Sequence, residues 1–374
     1  MKYYLISGEA SGDLHGSNLI KQLKLIDSTA SVRCWGGDLM EAAGAELVKH
    51  YRDLAFMGFA EVVKNLPTIF KNIRFCKADI LAFKPDVLVL IDYPGFNLRI
   101  AEWAKAKGIK VVYYISPQVW AWKASRVKKM KLCIDKMLVI LPFEKAYYAN
   151  KWNWEVEYVG HPLMEAIEAK KKELGYTDET INSNPSKKIA LLPGSRQQEI
   201  AKKLPIMLSV AKYFPDYEFV VAEAPGQLPE FYQPFLAQYQ NVSTVKNATY
   251  QLLLESSAAL VTSGTATLET ALLGVPEIVC YKGSVISYQI AKRLIKIKFI
   301  SLVNLIMDKL VVTELIQEQL TTNNLVAELK KLLTDESRKA TIAADYHLLR
   351  EKLSQGGTAS AKAAKSICDF GRKS

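Results

Sequence analysis

Two stretches decide the fold: 260-LVTSGTATLE-269 and, upstream of it, 189-IALLPGSR-196. Each runs from a short apolar, β-like segment through a turn of small residues into a segment that reads as helical. Small residues let backbone amides approach a ligand closely, and the first turn of the following helix presents unpaired N–H groups at a positive dipole end. An anion such as a diphosphate suits that arrangement. Gly194 and Ser195 form the first turn, and Arg196 adds a fixed positive charge. In the second turn Ser263, Gly264, Thr265 and Thr267 bring small residues and hydroxyl donors, while Glu269 is placed to accept both hydroxyls of a ribose. The same residues also suit a plain strand-to-helix turn with a helix cap, and both readings stay open here.

Working outward, strand-like runs recur at Glu218–Val221, Ala258–Val261 and Ile278–Tyr281, with helical segments between them. That is a doubly wound domain. Upstream, Glu168–Lys188 holds TDETINSNPSKK, the least apolar stretch of the chain, and reads as the interdomain linker. The first half alternates in the same way, with strands at Tyr3–Ile6, Val32–Trp35, Val87–Ile91 and Val111–Ile115. The last two are short, branched and apolar, as in a parallel sheet buried on both faces. The expectation is an α/β chain of two doubly wound, Rossmann-like parallel-sheet domains, 1–167 and 168–345. Residues 346–374 then form a C-terminal helical segment that packs back on the first domain or reaches a partner, so a homodimer is open.

The chain has 374 residues, 49% of them hydrophobic and 23% charged, which is enough for two separate cores. Its net charge of +11 implies attraction to anions. Nucleic acid is set aside, because no zinc-ligand spacing, RNP-like motif or long basic tail occurs. Anionic lipid and phosphorylated substrate remain. The five cysteines are scattered and never form C-x-x-C, which fits a reducing cytosol. The start, MKYYLISGEASGD, lacks the apolar stretch of a signal peptide, and no run reaches membrane-spanning length. The expected location is cytoplasmic, with any membrane contact peripheral.

In the first half, 7-SGEASGDLHG-16 follows the first strand but lacks the G-x-G-x-x-G spacing of a dinucleotide site. A nicotinamide cofactor is therefore not expected, and the loop, Ser11 included, lines the crevice at the strands' carboxyl ends. In 84-KPDVLVLIDYPGFN-97, Asp92 follows a buried strand directly. It is the candidate general base for a sugar hydroxyl, with a turn-capping Asp as the alternative. In 113-YYISPQVWAWKASRVKKMKLCIDK-136, Trp120 and Trp122 precede Lys123, Arg126, Lys128, Lys129 and Lys131. That mixture suits a sugar face, a lipid phosphate or a membrane boundary, and equally a charged solvent face over packed indoles. Residues 54–77, LAFMGFAEVVKNLPTIFKNIRFCK, read as an amphipathic helix at a bilayer surface or as core. Neither His15 nor His161 has a second ligand at metal spacing, and no Asp-x-Asp occurs, so no metal site is expected.

Taken together, SGEASGD, LAFMGFAEV, KPDVLVLIDYPGFN, SPQVWAW, LPFEK, VGHPL, LPGSR, SGTATLE and SLVNL occur in the order found in the lipid-A-disaccharide synthase family, which the chain closely resembles nearly end to end. The resemblance implies the GT-B architecture, with two domains facing across a cleft, and an inverting glycosyltransferase that needs no cofactor. Its substrates would be UDP-2,3-diacylglucosamine and 2,3-diacylglucosamine 1-phosphate, taken up at the inner-membrane surface. The products would be a β-1,6-linked disaccharide 1-phosphate and UDP. Position by position, the family's proposed base falls on Asp92, its phosphate-binding arginine on Arg196 and its catalytically important asparagine on Asn304; Glu269 takes the ribose and Ser263–Thr265 the phosphate. Val303 stands where the family often has proline, and Ala10 where threonine is frequent. Phe70, Ile73 and Phe75, with the segment from Trp120 to Lys131, are expected to face the membrane and admit acyl chains. Other GT-B enzymes of UDP-sugars, a muramyl-lipid glucosaminyltransferase or a UDP-sugar epimerase, are the nearest alternatives; a non-catalytic peripheral lipid-binding protein is the alternative from another class.

Overall fold

A computed structural model describes residues 1–54, 66–177, 186–284, 298–354 and 357–373. The chain divides into two compact units, Met1–Pro162 with Leu353–Ser374, and Leu163–Lys352. The sequence places these divisions at 167/168 and 345/346. They fall elsewhere because two helices, Leu163–Glu173 and Glu336–Ser354, carry the chain into and out of the second unit. Their side chains Ile167, Ile342, Tyr346 and Leu349 are buried, and the Tyr346 hydroxyl donates to the Val275 carbonyl at 3.2 Å. Most of the polar linker, residues 178–185, lies outside the described residues.

The first unit is built on seven parallel strands: β1 (Lys2–Ile6), β2 (Ser31–Gly36), β3 (Glu46–His50), β4 (Val87–Ile91), β5 (Val111–Tyr114), β6 (Lys136–Val139) and β7 (Glu157–Tyr158). Their order is β3-β2-β1-β4-β5-β6-β7. Successive side chains of a strand point to opposite faces, so both faces carry core. Tyr4, Ile6, Leu88, Leu90 and Tyr113 meet the helices Leu66–Phe83, Pro94–Ala106 and Arg126–Cys133 on one side. Tyr3, Leu5, Val87, Val89 and Tyr114 meet the helices Ala10–Ile26 and Ala359–Arg372 on the other.

The C-terminal helix therefore lies on the first unit of its own chain. Cys368 Sγ sits 3.1 Å from the Tyr3 hydroxyl, and Lys110 Nζ donates to the Gly371 carbonyl at 2.9 Å. All five cysteines are buried and free.

The second unit has six parallel strands: β8 (Lys188–Leu192), β9 (Glu218–Glu223), β10 (Val242–Lys246), β11 (Ala258–Thr262), β12 (Glu277–Tyr281) and β13 (Thr313–Ile316). The order β10-β9-β8-β11-β12-β13 repeats that of the first six strands of the other sheet. Each sheet thus has one switch point, where successive crossovers go to opposite sides: β1/β4 in the first and β8/β11 in the second. Ligands of open α/β sheets bind beyond the carboxyl ends of strands at such points. Asp92 follows β4, and the two small-residue turns follow β8 and β11.

Candidate functional site

In the second unit, β8 and β11 are paired in register, Leu191 with Leu260 and Leu192 with Val261, so their two turns leave the sheet side by side. After β8 the chain turns at Gly194, where φ is +119°, and a Cβ there would lie 2.9 Å from Glu199 Oε2. A side chain would be strained and crowded at that point. Arg196 is the N-cap residue of the helix Gln197–Leu208; its side chain is 77% exposed and meets Glu199 at 3.5 Å. After β11, Gly264 is the N-cap residue of the helix Thr265–Leu272. Gly194, Ser195, Ser263, Gly264, Thr265 and Glu269 line one cavity of about 320 Å³, and Glu199 shares its wall. Two helix N-termini make this wall suited to an anion, whereas the Arg196 side chain is not among those that line it.

The hydroxyls behave differently from the sequence expectation. Ser263 Oγ donates to the Ile300 carbonyl at 3.0 Å, and Thr267 Oγ1 donates to the Gly264 carbonyl at 2.9 Å. Both protons are committed to backbone acceptors, which leaves Thr265 as the exposed hydroxyl of the turn. Glu269 is half-buried and bonded by the Tyr250 hydroxyl; burial raises its carboxyl above the usual range, and that bond pulls it back down.

Asn304 also departs from expectation, because it has no exposed surface. Its Oδ1 accepts from the Val311 and Val312 amides at 2.8 and 2.9 Å, and its Nδ2 donates to the Val312 carbonyl at 2.9 Å and to Glu314 at 2.8 Å. With two acceptor and two donor positions filled, the amide has nothing left for a substrate. Asn304 clamps the Val311–Val312 backbone to Glu314 within the fold.

In the first unit, Asp92 and Tyr93 both adopt left-handed backbone, with φ of +44° and +48°. Such geometry costs on the order of 1–3 kcal/mol per residue and persists only where surroundings enforce it. The Tyr113 hydroxyl and Asn97 Nδ2 donate to the Asp92 carbonyl at 2.5 and 2.8 Å, and the Asp92 amide donates to the Tyr114 carbonyl at 3.1 Å. Gly8 admits the Tyr93 ring, since a Cβ there would meet the ring at 2.4 Å. The Asp92 carboxyl is pushed up to about 6, first by burial and then by the negative charge of Glu9, with the Tyr93 amide pulling the other way. A group titrating there is an effective base near neutral pH.

Ser11 is exposed in the first turn of the helix Ala10–Ile26. Trp120 is half-buried and packs edge-on against Phe143 at 5.0 Å, whereas Trp122 is 54% exposed. Lys123 Nζ lies 4.2 Å and the Arg126 guanidinium 5.8 Å from the Trp122 ring centre. Phe70 and Phe75 are exposed, but Ile73 is not. Ile69, Ile73, Cys76 and Ile80 form the inward stripe of the helix Leu66–Phe83, so Ile73 belongs to the core and does not face outward. Residues 55–65 of the expected amphipathic segment lie outside the described residues. No helix among the described residues is long and apolar enough to cross a membrane.

Sequence reading did not single out Asn97 and Tyr113, which hold Asp92, nor Glu9, which tunes it. It also passed over Glu223 and Thr262, which end β9 and β11 and line the cavity with buried oxygens that have no partner among the described residues. Their strand-end positions were the available signal. What marks them is an unsatisfied atom, which no sequence displays.

The family described as lipid-A-disaccharide synthetase matches residues 3–367. The chain belongs to this family. It is 37% identical to the lipid-A-disaccharide synthase of Geobacter metallireducens, across 99% of this chain and 97% of that protein. Identity to the synthase of Syntrophus aciditrophicus is 38%, across 97% and 96%. Among solved structures, the UDP-GlcNAc 2-epimerase of Neisseria meningitidis, bound to UDP-GlcNAc, matches with a TM-score of 0.69 at 15% identity, covering 99% of this chain and 100% of that one. The glycotransferase of kitacinnamycin matches at 0.64 and 16%, with 98% of each chain covered. These two share the fold, which is GT-B.

Proposed function

We infer that this member of the lipid-A-disaccharide synthetase family transfers diacylglucosamine from UDP-2,3-diacylglucosamine to the 6-hydroxyl of 2,3-diacylglucosamine 1-phosphate, releasing UDP. The observation that carries the reading is the cavity of the second unit, where both small-residue turns and Glu269 converge in a chain that matches the family over nearly its whole length. The diphosphate lies against the two helix N-termini and Arg196, and Glu269 accepts from the ribose. The first unit takes the acceptor, and Asp92 removes the proton of the attacking hydroxyl. A single displacement at the anomeric carbon inverts it; Arg196 and the helix N-termini stabilise the departing UDP, so the chemistry proceeds without a metal ion.

The acceptor and donor carry acyl chains, so the protein works at a membrane face. Phe70 and Phe75, beside the exposed Lys71 and Arg74, supply apolar and cationic contact with anionic lipid, and Trp122 with Lys123 and Arg126 adds a second such patch. The decisive experiment incubates purified protein with both lipid substrates and follows disaccharide 1-phosphate and UDP by mass spectrometry. Disaccharide formation supports the reading. Absence of product overturns it, and conversion of UDP-GlcNAc with no acceptor present replaces it with an epimerase.

A further inference from the structure

We propose that Glu314 is a positioning residue for the nucleotide-binding turn, acting on Ser263 through one rigid peptide group. Glu314 stands on β13, at the edge of the second sheet, and its carboxylate gathers three donors. Oε1 accepts from the Ser301 amide at 2.9 Å and from Asn304 Nδ2 at 2.8 Å, and Oε2 accepts from the Ile300 amide at 3.0 Å. No cation pairs with it among the described residues. The Ser301 amide and the Ile300 carbonyl belong to the same peptide plane. The carbonyl end of that plane is the acceptor of the Ser263 hydroxyl at 3.0 Å.

A trans peptide holds its N–H and C=O on opposite edges, so the plane links Glu314 on one side to the first residue of the anion turn on the other. The charge on Glu314 polarises the peptide and strengthens the bond that Ser263 makes to it. Asn304 completes the device. Its four bonds tie Glu314 to the Val311–Val312 backbone, and its own amide donates to Ser301 Oγ at 3.2 Å, fixing where the helix Leu302–Met307 begins. The motif SLVNL thus serves the nucleotide site without touching the nucleotide, and Glu314, thirteen positions beyond its serine, is the member no local motif displays.

The proposal rests on the nucleotide reading of that cavity, and a thermodynamic cycle on the full-length protein separates the two. UDP affinity is measured by calorimetry for the unmodified chain, Ser263→Ala, Glu314→Gln and the double variant, with each thermal midpoint recorded in the absence of UDP. Each single change is expected to weaken UDP binding about tenfold, the size of one charge-assisted hydrogen bond, and the double variant no further than the weaker single one. Should Glu314→Gln not fold, Glu314→Asp keeps the charge, shortens its reach and enters the same cycle. Losses that multiply in the double variant, or lowered midpoints with unchanged UDP affinity, overturn the relay while leaving the nucleotide site standing. An unmodified protein that does not bind UDP removes both.

Discussion

Asp92 is held in a backbone conformation that an aspartate rarely adopts, by Tyr113, Asn97 and Tyr114, which bond its main chain, while the Tyr93 amide acts on its carboxyl. Burial and Glu9 set where that carboxylate titrates. A base must be ionised to work, so kcat/KM is expected to rise with pH through about 6 and to fall about tenfold per unit below it. Glu9→Gln removes a negative neighbour, lowers the Asp92 pKa and moves the acid limb to lower pH. Asp92→Asn abolishes the limb and lowers turnover by about two to four orders of magnitude. Rate profiles of the three proteins between pH 4.5 and 8 check this, and an acid limb that stays in place in Glu9→Gln defeats the assignment. At this scale the sequence displays the chemistry but not its support. Asp92 is legible because it ends an apolar strand; Asn97 and Tyr113 are not, because their contribution is a hydrogen bond to a backbone carbonyl, five and 21 residues away, that no motif displays.

Among the elements, the helix Pro142–Trp152 carries the oddest charge. Glu144 is 1% exposed, closes a capping box on the Leu141 amide at 3.0 Å, and lies with Trp120 and Ser116 beneath the loop that follows β5. Burial pushes its carboxyl up to about 8 against the pull of the Leu141 and Ile140 amides, Trp120 and Ser116. The folded chain therefore binds a proton that the unfolded chain releases from about pH 4.5 upward, so this group's contribution to stability declines as pH rises from about 4.5 to about 8 and is constant above. Glu144→Gln is expected to flatten the thermal midpoint over that window, leaving it near the unmodified value at pH 5 and above it at pH 8. Parallel slopes in the two proteins would refute the account. The helix Leu66–Phe83 supplies a second test. Phe70→Ser with Phe75→Ser removes one exposed ring and one half-exposed ring that touches Trp35, so folding is retained at some loss of stability while sedimentation with anionic liposomes falls; Ile73→Ser loses more stability, about 2–5 kcal/mol, because it breaks the core. Equal liposome binding by the double variant and the unmodified chain ends the membrane proposal. The strands were legible as elements because β4 and β11 are apolar on both faces. The rotation of a helix carrying rings on several sides was not, and Ile73 shows what that ambiguity conceals.

At the scale of the molecule, the two units differ in how the chain supplies them. The second is one continuous segment, and it holds the whole cavity proposed for the nucleotide. The first is discontinuous, and its sheet depends on a helix that arrives last. Ala363, Ala364, Ile367 and Cys368 of that helix are fully buried against the face that carries Tyr3 and Val87, and Gly371 sits so close that a Cβ there would lie 2.9 Å from Val87. Removing it exposes enough apolar surface to cost on the order of 5 kcal/mol, comparable to the stability of a whole domain. Calorimetry of the full chain is therefore expected to show two transitions, with UDP raising the one that belongs to the second unit. A chain ending at Lys352 is expected to lose the transition of the first unit and keep the UDP-responsive one, and residues 163–352 alone are expected to bind UDP as the full chain does. The halves repeat an architecture that the alternation of strands and helices makes readable. The final helix is readable as a helix, and its packing on the first domain as one of two open readings, since partners such as Tyr3 and Lys110 lie 365 and 261 residues earlier. A shortened chain that retains both transitions would mean the helix is dispensable to the first unit; a fragment 163–352 that folds without binding UDP would mean the cavity takes its ligand only with help from the rest of the chain.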